Sequence, residues 1–117
     1  MVYISHLANV VILIAVCTAL WRDDPAMAEA FGPDTVARRI LGCVYATILL
    51  TSLYALLRAG LGAPQVAISI ALVLFPLQII YKLATVYAVG AANPVVVANL
   101  AVVALHCLTL ATLAWRS

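Results

Sequence analysis

Charge is scarce in this sequence. Asp, Glu, Lys and Arg make up 9% of its 117 residues, against roughly a quarter in ordinary soluble domains. A water-soluble fold needs such groups to solvate its surface, so the shortage excludes one. Carboxylates are absent from the long apolar stretches altogether: Asp23, Asp24, Glu29 and Asp34 all fall in one segment between two of them. A proton-coupled cation exporter built on an intramembrane acid is therefore disfavoured, whereas a neutral or anionic solute stays open. Cys17, Cys43 and Cys107 are too far apart for a CxxC pair, so neither a redox motif nor a zinc knuckle is present, and buried structural thiols are expected. There is no HExxH motif and no phosphate-binding glycine loop, and Asp23-Asp24-Pro25 matches no calcium loop. No catalytic constellation and no metal site is predicted, and the chain is read as a non-enzyme. The net charge of +2 is small and dispersed, which argues against a nucleic-acid partner.

What remains is hydrocarbon. A helix rising 1.5 Å per residue needs about 20 apolar residues to cross a hydrocarbon core of about 30 Å. Four stretches qualify, approximately 2–21, 40–57, 64–87 and 94–115. The first is also tested as a signal peptide, since Ala26-Met27-Ala28 resembles a cleavage site. It has no Lys or Arg ahead of its apolar run, and Arg22-Asp23-Asp24 separates the run from that site; a retained helix is expected. Segment 22–39 is the only substantial loop. Ala26 to Phe31 suits a short interfacial helical turn, and Asp34 suits the N-cap of the second span. The connections at 58–63 and 90–94 are short, with Pro64 and Asn93-Pro94 opening the next helices. Short links make sequential helices antiparallel neighbours. The predicted fold is all-α: a single transmembrane domain over residues 1–117, forming an up-down-up-down four-helix bundle embedded in the lipid bilayer.

Both termini and Arg58 share one side of this bundle, which also carries Arg116. The other side carries Arg22, Arg38, Arg39 and Lys82. Four basic residues against two predicts loop 22–39 cytoplasmic and the termini outside; the N-terminal amine narrows the margin to four against three.

Polar residues recur at helical spacing. Cys43, Thr47, Thr51, Tyr54 and Arg58 share one face of the second span, and Asn99, His106 and Thr109 share a face of the fourth. His6 and Asn9 are three apart on the first span. Gln78 and Lys82 are four apart on the third, with Ala67 and Ala71 preceding them. Lipid offers no hydrogen bonds, so these faces are expected to turn inward. Helical rise places His6 and Tyr54 about 6 Å from the terminal side, Asn9 about 10 Å and His106 about 13 Å, with Gln78, Asn99 and Tyr45 at roughly 20–24 Å. Two clusters follow as candidate ligand-binding positions: His6, Asn9, Tyr54 and His106; and Gln78, Asn99 and Tyr45, with Lys82 nearer the surface. Interhelical hydrogen bonding at about 0.6 kcal/mol per bond explains them equally well without any ligand. Lys82 is expected to snorkel beside Tyr81 and Tyr87 in an aromatic belt, or to reach Asp23, Asp24 or Glu29 and pin the loop. No charge is expected deep in any span. Pro76 is expected to kink its helix near Leu72 or Val73.

Helix count does not decide function. The expectation is an accessory or assembly subunit of a larger membrane complex, or a small-ligand-binding bundle, working as a homo-oligomer or with other membrane subunits. The alternatives are a homo-oligomeric transporter or channel for a neutral or anionic solute, and a haem-binding bundle using His6 and His106.

Overall fold

Four helices exceed the length needed to cross a bilayer, and a fifth, short one lies between the first two. The computed structural model, which describes residues 1–117, contains α1 (Val2–Arg22), α2 (Pro25–Phe31), α3 (Val36–Gly60), α4 (Pro64–Val89) and α5 (Pro94–Arg116). All four long helices are apolar enough to span, and the chain is an all-α, multi-pass membrane bundle. α1 packs mainly on α3, α3 on α4, and α4 on α5; α1 meets α4 and α5 along a narrower strip.

The α3 boundaries differ most from expectation. Hydropathy stops at charged residues, but the helix continues through Arg38 and Arg39 because acids from the preceding loop neutralise them. Its N-cap is Thr35, not Asp34: the Thr35 hydroxyl accepts from the Arg38 amide at 3.3 Å. Asp34 instead accepts two bonds from the Arg39 guanidinium, at 3.1 and 2.9 Å, and this pairing holds its carboxyl below the ordinary carboxylate range. Gly60 stays helical, and the chain reverses at Gly62, whose φ of +87° suits a residue without a Cβ. Asn93 caps α5 as expected, accepting from the Val95 amide at 2.9 Å. Helix α4 is continuous across Pro76.

Segment 23–34 is fastened over one mouth of the bundle, though not by Lys82. Asp23 ends α1 in the left-handed conformation (φ 51°), which Asp tolerates better than most residues. Its carboxylate bonds Arg38, whose other arm donates to Gly32 O at 3.1 Å. Phe31 packs edge-on to Tyr45 at 5.9 Å, and Asn93 Nδ2 donates to Ala30 O at 3.0 Å.

The outer surface suits lipid. Ile4, Leu7, Val11, Leu50, Leu57, Val73, Ile80 and Leu108 all face outward. Trp21 and Tyr87 stand almost fully exposed near the loop end, and Trp115 near the other, as interfacial aromatics do. Tyr81 does not join that belt, because its hydroxyl is buried. The thiols are not core groups as expected: Cys43 and Cys107 are exposed and Cys17 is half-buried.

Candidate functional site

The interior holds a line of polar side chains from three helix faces that the spacing predicted and one that it did not. On α1, α4 and α5 the predicted stripes point inward: His6, Asn9, Gln78, Lys82, Asn99, His106 and Thr109 are all buried. On α3 the stripe faces the wrong way. Tyr54 is 48% exposed, bonds Arg58 at 3.1 Å, and is removed from the candidate site. Thr47 and Thr51 return their hydroxyls to the backbone one turn back, at 3.0 and 2.8 Å, which satisfies them in lipid. The inward face of α3 is instead Tyr45, Ile48, Ser52 and Ala55. Ser5 and Ser52 are both fully buried, positions that a single serine in a long apolar run, carrying no periodic signal, does not reveal.

The network has one consistent hydrogen-bond polarity. Ala67 O can only accept, so His6 Nε2 carries the proton in its 3.0 Å bond. His6 Nδ1 is then an acceptor for the Ser52 hydroxyl at 3.4 Å. Ser52 in turn accepts from Asn9 Nδ2 at 3.1 Å. The second Asn9 amide hydrogen goes to Gln78 Oε1 at 2.9 Å, and Gln78 Nε2 returns to Asn9 Oδ1 at 3.4 Å. Ser5 and Thr109 share a bond of 2.6 Å. Gln78, expected in the second cluster, thus joins Asn9 and His6 of the first, whereas Lys82 and Asn99 form a pair of their own. Helical rise gives depth along one helix axis only; helix tilt and side-chain reach bring Asn9 and Gln78 into contact.

These bonds join helices that meet along a narrow strip. His6–Ala67 and Asn9–Gln78 tie α1 to α4, and Ser5–Thr109 ties it to α5. The buried alanines Ala67 and Ala71 allow the close approach that the His6 bond needs.

Phe75, fully buried, stands between the two histidines. Its ring lies 4.8 Å from that of His6 at 49°, and 4.1 Å from that of His106 at 4°, a parallel stack. The pair does not fit an axially bridged haem: Phe75 occupies the gap, and both His6 nitrogens are engaged. No three His, Cys, Asp or Glu side chains converge on a common point. Family models, curated proteins and solved structures yield no match to this chain. The geometry alone therefore bears the functional argument.

His106 contrasts with His6. It is fully buried, yet neither ring nitrogen has a protein hydrogen-bond partner. Leaving buried polar atoms unpaired costs about 1–3 kcal/mol each. His106→Phe keeps the stack on Phe75 and removes both nitrogens, so its stability in detergent should equal or exceed the native value. His6→Phe loses two bonds and should lower it by about 1 kcal/mol. Equal losses in the two variants would show that His106 is held by its nitrogens after all.

Lys82 is the remaining polar group. It neither snorkels nor reaches the acidic loop. At 6% exposure, seven residues from the α4 end, its Nζ donates to Asn99 Oδ1 at 2.8 Å and lies 5.1 Å from the Tyr81 ring centroid. A basic residue thus lies inside the span, contrary to expectation. With Lys82 withdrawn from the membrane surface, Arg22, Arg38 and Arg39 on the loop side face Arg58, Arg116 and the N-terminal amine on the other.

Proposed function

We propose that this chain is a non-catalytic component of a membrane assembly that acts through its lipid-facing surface. The observation that carries this reading is the self-satisfied cluster about Asn9. His6, Asn9, Ser52 and Gln78 spend their hydrogen bonds on one another and on Ala67 O, and Phe75 fills the space between the histidines. A cluster of this kind fastens helices together and offers little to a substrate. A shallow groove of about 300 Å³ on the outer face, lined by Val44, Thr47, Ile48, Thr51, Leu74, Leu77 and Tyr81, is wide enough for side chains of a neighbouring helix.

A second reading, a homo-oligomeric pathway for an anionic solute, draws on Lys82, a basic residue enclosed without a carboxylate. Orientation follows from neither reading. Three positive groups on each side cancel the bias, and the proposal that loop 22–39 is cytoplasmic rests only on its three side-chain cations against two.

Native mass spectrometry after mild detergent extraction from the source membrane tests the assembly reading. A fixed stoichiometry with itself or with another membrane subunit is the expected result. A monomer carrying only lipid at every detergent concentration would overturn it.

A further inference from the structure

We propose that Lys82 and Asn99 form a binding site for a small monovalent anion of halide size, between α4 and α5 near the loop end of the bundle. Lys82 is more than nine-tenths buried. No carboxylate lies within ion-pair distance of it: the ion pairs of this chain are Arg38 with Asp23 and Asp34, and Arg39 with Asp34. Its ammonium has three donors and one hydrogen-bond acceptor, Asn99 Oδ1. A buried charge without a counter-charge is among the most costly arrangements a fold can hold. The amide dipole and the Tyr81 ring face offset only part of that cost.

Asn99 supplies the second, independent observation. Because the ammonium only donates, the Asn99 oxygen must face it, and this orientation leaves Nδ2 as a donor. That nitrogen is buried and has no protein partner. The oxygen and nitrogen of one amide are about 2.2 Å apart, so Nζ and Nδ2 lie within about 5 Å of each other. One small anion can accept from both. It would neutralise the lysine and satisfy the orphan amide together, which no side chain of this sequence does. The two buried donors favour a small, weakly hydrated, singly charged ion over a phosphate ester, whose further oxygens would find too few donors here.

The test uses the full-length protein in neutral detergent, melted in sodium chloride against sodium gluconate at constant ionic strength. Binding to the folded state raises the melting temperature, linearly in the logarithm of chloride concentration once that exceeds Kd. A rise of about 5 °C at chloride about ten times Kd is expected, reproduced by bromide. Lys82→Met should abolish the chloride dependence, and Asn99→Leu should shift its onset to at least tenfold higher concentration. An unchanged melting temperature in chloride, as a neutral amine at Lys82 would give, overturns the proposal. So does a chloride response that survives in Lys82→Met. Where that variant does not accumulate folded, the chloride-35 NMR linewidth of the native protein decides: a line no broader than that of empty micelles overturns the site. Broadening that bromide competes away supports it.

Discussion

Phe75→Ala should be the most damaging single substitution in the bundle, lowering stability by about 3–4 kcal/mol. In a soluble core much of such a loss is transfer free energy. Here the separated helices remain in lipid, so that part is absent and packing carries the cost. Removing the ring opens roughly 100 Å³, which at about 24 cal/mol per Å³ is about 2.4 kcal/mol. The stacked contact with His106 and the tilted one with His6 add about 1 kcal/mol. Phe75→Leu should recover more than half of the loss. The comparison is Leu72→Ala, three positions away on the same helix but facing lipid, which should cost under about 1 kcal/mol. Reversible unfolding in mixed micelles measures all three. Similar losses at positions 75 and 72 would mean that the ring does not hold the core.

Asn9→Leu should cost about 3 kcal/mol, from three hydrogen bonds at about 0.6 kcal/mol each and about 1 kcal/mol for the amide left unpaired on Gln78. The sharper expectation is non-additivity. Once Asn9 is apolar, Gln78 is a buried amide without its partner, so replacing it as well should relieve strain. The double variant Asn9→Leu/Gln78→Leu is expected to be more stable than the two single losses predict, by at least about 1 kcal/mol. Additive losses would show that the pair does not fasten α1 to α4. The site of failure is also specified. Because α1 meets α4 and α5 along a narrow strip, amide exchange should rise first in α1 around Val10 and Leu13.

Legibility from sequence followed the strength of the periodic signal. On α1, α4 and α5 a polar residue amid apolar ones marks the inward face correctly, because amides, imidazoles and a lysine cannot satisfy themselves against their own helix. On α3 the same logic picked the wrong side. Threonine hydroxyls can return to the carbonyl one turn back, as Thr47 and Thr51 do, and such residues are at ease in lipid. Tyr54 and Arg58 lie close enough to the helix end to sit at the interface together. The inward marker was Ser52, one small hydroxyl in an apolar run.

Composition and run length by themselves determined that this chain is a multi-pass helical membrane protein. With so few charges, and with backbone groups that lipid cannot satisfy, four spanning helices are the solution open to it. Proline and asparagine at the helix starts and short links determined that successive helices run antiparallel. Only the tertiary structure decided which partner each polar group takes. It placed Phe75 between His6 and His106, joined Asn9 to Gln78, gave Asp23 to Arg38, and left Lys82 inside with Asn99 alone. The physical reason is that helical rise and periodicity fix the face and approximate depth of a residue on its own helix, whereas pairing depends on the tilt and offset between helices. Differences of a few ångströms there choose between a bond and none.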